Sequence, residues 1–113
     1  MWIFSKDGFL SVVEKAEDKD RGTLTVRSRC KKDLEGLVKF AGLDGIKSNA
    51  GSDYQFRVVV PREAFADYMA AAARGIDYHN FKDAILRQDS ERSHLLTKIW
   101  HEVFRFFSKE KGS

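Results

Sequence analysis

Between Asp53 and Asp83 the chain runs a strand pattern into a proline and out again through an alanine-rich helix. Tyr54, Phe56, Val58 and Val60 alternate with Gln55, Arg57 and Val59, the two-residue period of a strand with one buried face. Pro61 stops the ladder because it has no N–H to donate, and its fixed φ suits the start of a helix. From Arg62 to Arg74, Phe65, Tyr68, Met69 and Ala72 recur at helical spacing, and Gly75 closes the run. This stretch constrains architecture more tightly than chemistry.

The rest of the chain is read around it. Trp2 to Phe4, then Lys6-Asp7-Gly8, then Phe9 to Val13 predicts a first strand with a turn or bulge at Gly8. The charged segment Glu14 to Gly22 reads as a solvated hairpin loop. Leu24 and Val26 then alternate with Thr23, Thr25, Arg27 and Arg29 in a second strand. Leu34, Leu37, Val38 and Ala41 form the apolar stripe of a helix from about Lys31, with Gly42 as its stop. Gly42 to Asp53, rich in Gly, Ser, Asn and Asp, reads as the most flexible loop. Asp77 is placed to cap a short helix from Tyr78 to about Leu86, and Asp89 or Ser90 to cap the last one. On that last helix Leu96, Ile99, Trp100, Val103 and Phe107 share a face expected to enter the core. The order is β-β-α-β-α-α-α. Strands early and helices late predict an α+β fold, a small antiparallel sheet with helices packed on one face.

A chain of 113 residues has room for one hydrophobic core. The expected layout is a single α+β domain over residues 1–107 and a frayed tail over 108–113. Residues 1–30 carry a net charge of +1, residues 31–80 none and residues 81–113 +2, so there is no polybasic arm. Any nucleic-acid surface must be assembled by folding rather than carried on a tail. Cys30 is the only cysteine, which rules out an intrachain disulfide and a cysteine cage for a metal. A buried, inert thiol in a reducing compartment is the expectation. The start of the chain lacks the pattern of a signal peptide. No run approaches the roughly 20 apolar residues that span a bilayer. A cytoplasmic protein without a membrane partner is therefore expected.

Four groups of residues could carry function. Arg27, Arg29 and Arg57 fall on the polar phase of their strands, where a planar guanidinium can fork onto phosphate or carboxylate. Solvation of an open sheet face is the simpler account of them, since a half-buried antiparallel sheet needs polar residues there in any case. Lys6 to Val13 has an echo of an RNA-recognition strand, but Asp7 stands where glycine is wanted and aliphatics stand where stacking aromatics belong. In Asp77-Tyr78-His79-Asn80-Phe81-Lys82-Asp83, His79 and Asp83 lie one helical turn apart and could act as an acid–base pair. A capped, amphipathic helix start is the simpler account. His94 and His101 are seven residues apart on a helix, about 10.5 Å, too far to share a metal. Finally, Phe104 and Phe106 exceed what one core-facing stripe needs; either the other helices cover them, which is the simpler account, or aromatic surface is left for a partner or a second copy.

Trp2-Ile3-Phe4 with Gly8 to Val13, TLTVRSR, the DYQFRVVV strand opening at Asp53, DYHNFKD, and IWHEVFRF from Ile99 to Phe106 together give a resemblance. The chain resembles an uncharacterised family of small bacterial and phage proteins. The resemblance implies a stand-alone cytoplasmic domain and carries over no activity, cofactor or catalytic residue. Its phage connection points toward host interaction or inhibition of a defence system.

The sequence thus leads to a small non-enzymatic binding protein that works through Arg27, Arg29, Arg57 and Tyr54 on the sheet together with Tyr78 and Lys82 at the DYHNFKD helix start. No metal or cofactor is expected, and the partner is either protein or nucleic acid. One rival is a regulatory protein that grips a protein partner, or its own copy in a homodimer, through the C-terminal aromatic helix. The other is a nucleotide- or RNA-processing enzyme using His79 and Asp83.

Overall fold

The computed structural model describes residues 1–112, with side chains through Lys109. The chain forms two compact units, Met1–Ile76 and the residues from Asp77 onward.

The first unit is an antiparallel sheet of β1 (Trp2–Ser5), β2 (Gly8–Val13), β3 (Thr23–Ser28), β4 (Lys47–Ser48) and β5 (Phe56–Pro61), with α1 (Lys32–Ala41) and α2 (Arg62–Arg74). The strand order is β1-β2-β3-β5-β4, and every pair is antiparallel. The expected α+β class is what the chain forms. Its predicted first strand is in fact two, joined by the two-residue turn Lys6-Asp7. Gly8 makes that turn feasible. Its φ of 130° lies where side chains are strained, and a Cβ there would sit 2.1 Å from Asp33 Cγ. The Asp33 carboxylate instead accepts a hydrogen bond from the Phe9 N–H at 3.0 Å, tying the hairpin to α1.

Register puts Val12 opposite Val26, Val26 opposite Val58, and Leu24 opposite Val60. These residues make one apolar sheet face, and Leu34 and Leu37 of α1 with Phe65 and Tyr68 of α2 close over it. Leu34, Leu37, Val26 and Val60 are fully buried. α1 ends as its glycine predicts. Gly42 adopts φ 66°, the Leu43 N–H reaches back to the Val38 carbonyl, and Leu43 packs on the core. Ala72, expected on the buried face of α2, is exposed, as is every residue from Ala71 to Arg74.

Two loops are more ordered than their composition suggests. Within Gly42–Asp53, β4 adds to the sheet edge, and the Asn49 N–H donates to the Gln55 carbonyl at 2.7 Å. In the hairpin loop, a short 3-10 turn at Ala16–Asp18 folds Asp18 onto β3. Its carboxylate accepts from the Thr23 hydroxyl at 2.6 Å, the Thr25 hydroxyl at 2.8 Å and the Lys15 N–H at 2.8 Å. Asp18 is 3% exposed, and a buried carboxylate persists only when its lone pairs are filled in this way. Cys30, expected to be buried, is exposed.

The second unit is a helical hairpin of α3 (Phe81–Gln88) and α4 (Ser90–Gly112). The α3 cap is Asn80 rather than Asp77: its side chain accepts from the Asp83 N–H, so the helix starts three residues later than expected. Asp89 Oδ1 accepts from the Arg92 N–H at 3.0 Å and starts α4. Ile85, Ser93 and Leu96 are the buried contacts of the hairpin. The expectation that Trp100, Val103 and Phe107 are core fails. They are 49%, 51% and 54% exposed, because eight-residue α3 covers only part of a 23-residue partner. The expected frayed tail is helical to Gly112, and its last residue, Ser113, lies outside the described residues. No helix among the described residues is long and apolar enough to cross a membrane.

Candidate nucleic-acid interface

The sheet face turned away from α1 and α2 is built by the same registers that make the core. β1 pairs Trp2 with Ser11 and Phe4 with Phe9; β2 pairs Ser11 with Arg27; β3 pairs Arg27 with Arg57. Because side chains alternate along a strand, Trp2, Phe4, Phe9, Ser11, Arg27 and Arg57 all project to this side. One end of the face is covered by Asp18 on Thr23 and Thr25. The other end is an arginine–aromatic surface.

Phe4 and Phe9 stack with ring centroids 4.5 Å apart and planes 12° from parallel, and Trp2 meets Phe9 edge-on at 5.9 Å. Trp2 is 71% exposed and Phe4 38%, so flat ring surface faces solvent. Tyr54 precedes β5 and joins this face although its alternation phase matches Phe56 on the core side. Tyr54 itself lies in the bend Ser52–Tyr54, outside the regular strand, so strand alternation does not govern it. Its ring lies 6.4 Å from Phe9, beneath two guanidinium groups, Arg27 at 4.7 Å and Arg29 at 5.0 Å. Cation–π contact of this kind holds arginine heads in place without neutralising them.

The charges are uncompensated. Arg27 Nη2 donates to Ser11 Oγ at 2.9 Å; Arg57 Nη2 donates to Ser52 Oγ at 3.1 Å and to the Tyr54 carbonyl at 3.2 Å. All of these acceptors are neutral. No ion pair among the described residues involves Arg27, Arg29 or Arg57. Arg27 Nε and Arg57 Nε are both buried with no acceptor. Like charges directly opposite on neighbouring strands are destabilising, and a buried donor without a partner costs about 1–3 kcal/mol.

The remaining sequence candidates lie elsewhere. Tyr78 and Lys82 belong to the second unit, where Tyr78 packs on Phe81 at 6.0 Å and Lys82 Nζ sits 4.7 Å above the Trp100 ring. His79 and Asp83 are both exposed, and Asp83 serves α3 through its backbone N–H on Asn80. Among the described residues no three His, Cys, Asp or Glu side chains gather as a metal site. The aromatics Trp2, Phe4 and Phe9 were missed as site residues. The signal for them was the Lys6-Asp7 turn, since a two-residue hairpin loop there places Phe4 opposite Phe9 on the polar phase. No protein-family model, curated protein or solved structure matches the chain.

Proposed function

We propose that this protein is a non-enzymatic binder of single-stranded nucleic acid and that the open sheet face is its contact surface. The observation that carries the reading is the cross-strand opposition of Arg27 and Arg57 without a carboxylate, each with a buried Nε lacking an acceptor. A phosphate group supplies the missing counter-charge, an anion with several acceptor oxygens matched to the guanidinium fork. The stacked Phe4–Phe9 pair and exposed Trp2 beside those arginines supply planar surface for bases. Phosphate-binding charge together with ring platforms is the combination that single strands use, because their bases are free to stack. Duplex DNA hides its base faces and would use only the arginines.

Fluorescence anisotropy with labelled single-stranded DNA and RNA oligonucleotides tests this. Three phosphate contacts predict a log–log salt slope of about −2 on a single strand. Replacing Arg27 and Arg57 with Ala should weaken binding and bring the slope near −0.7. Phe4→Ala should cost about 1–3 kcal/mol of binding while leaving the slope alone, since stacking releases no counterions. Absence of binding at low ionic strength, where phosphate contacts are strongest, would refute the proposal.

A further inference from the structure

One ladder row crosses the whole sheet. Trp2 pairs with Ser11, Ser11 with Arg27, Arg27 with Arg57, and Arg57 with Lys47. Residues directly opposite each other share a face, so Lys47 of β4 stands on the open face in line with the two arginines. Neighbouring strands lie about 4.8 Å apart. Arg27, Arg57 and Lys47 are therefore three cations in a line, on stems long enough to splay to the wider step between phosphates of an extended strand. Lys47 is exposed, and no ion pair among the described residues involves it. Like charges directly opposite on neighbouring strands repel, and here that happens twice in succession, Arg27 against Arg57 and Arg57 against Lys47. The row holds no carboxylate. One phosphate group would relieve one of these oppositions; a chain of phosphates relieves both. Arg29 is placed differently. β3 ends at Ser28, so Arg29 lies beyond the paired ladder, about 6–7 Å to the side of the row, with its guanidinium 5.0 Å from the centre of the Tyr54 ring.

We infer that the bound strand crosses the sheet along this row, at right angles to the β-strands, with Lys47 as its third phosphate contact and Arg29 outside the phosphate track. The inference rests on the single-strand reading above and adds to it a path and a residue. Successive phosphates lie over β3, β5 and β4, on Arg27, Arg57 and Lys47. The other end of the row is Trp2, 71% exposed, with Phe4 and Phe9 beside it, so the bases meet their platform on β1 and β2. Arg29 keeps its charge against Tyr54, where it steadies the ring that also carries Arg27.

Anisotropy of a labelled oligothymidylate strand, titrated with the full chain from about 20 to 200 mM salt, tests the inference. Over that tenfold rise, three contacts should weaken wild-type binding about 100-fold. Lys47→Ala keeps two contacts and should weaken only about 25-fold, while Lys47→Arg should return to about 100-fold. Arg29→Ala should keep the wild-type salt dependence whatever it does to the affinity itself. Both positions are exposed, so the variants remain folded, and circular dichroism checks that they do. A Lys47→Ala protein with the wild-type salt dependence overturns the inference, and so does an Arg29→Ala protein whose dependence drops to about 25-fold. In either case the wild type still binds, and the single-strand reading stands without this path. A wild type that fails to bind at the lowest salt removes that reading and this inference with it.

Discussion

Replacing Asp18 with Asn keeps the shape of a buried side chain and removes only its charge. In the wild type the two carboxylate oxygens accept from Thr23, Thr25 and the Lys15 N–H at 2.6–2.8 Å. Burial by itself would raise the Asp18 pKa. The Thr23 hydroxyl, the Lys15 N–H and the Thr25 hydroxyl outweigh it, helped by the Lys15 charge, and hold the group below its ordinary value. Hydrogen bonds to a charged acceptor are worth about 1.5–3 kcal/mol and neutral ones about 0.5–1.5. Losing the charge on three bonds therefore costs about 2–4 kcal/mol, and an Asn amide has one acceptor oxygen where the carboxylate has two. For a unit of this size that lowers Tm by about 10–20 °C. The pH dependence has a definite sign. A folded pKa below the unfolded value contributes stability that is fully present above the unfolded value, about 3.9, and is lost as pH falls through the folded one. Circular-dichroism melts of the two proteins should differ most above the unfolded value and draw together as pH falls through the lower, folded-state one. A gap between wild type and Asp18→Asn that persists unchanged into acid would refute the argument, as would equal stability at neutral pH.

Gly8→Ala should destabilise the β1–β2 hairpin by at least about 2 kcal/mol, because its Cβ would overlap the Asp33 carboxylate at an already unfavourable φ; urea unfolding measures this. Leu37→Ala should cost about 2–5 kcal/mol by leaving a cavity between α1 and the sheet, read from the denaturation midpoint at constant slope. Asn80→Ala should remove about 1 kcal/mol from the start of α3, whereas Asp77→Ala should change the melt little; the reverse order would mean that the cap is misplaced.

Local periodicity in the sequence determined the core strands and the first two helices. Leu24, Val26, Val58 and Val60 alternate, and Leu34, Leu37, Phe65 and Tyr68 recur at helical spacing. A strand or helix with one apolar face has few ways to bury it. Pro61 and Gly42 marked boundaries for stereochemical reasons that need no neighbours. The arginines were legible as the polar phase of their strands. Their opposition was not, because register between strands distant in sequence depends on the whole sheet. Tyr54 left its phase at a bend that local pattern does not encode, and Phe4 met Phe9 only once the Lys6-Asp7 turn closed. The aromatic stripe of α4 shows the same limit. Periodicity told which residues of that helix share a face, and the length of its partner α3 decided how much of the face is covered. An amphipathic pattern specifies a surface that can be buried; whether it is buried depends on what the rest of the chain brings against it.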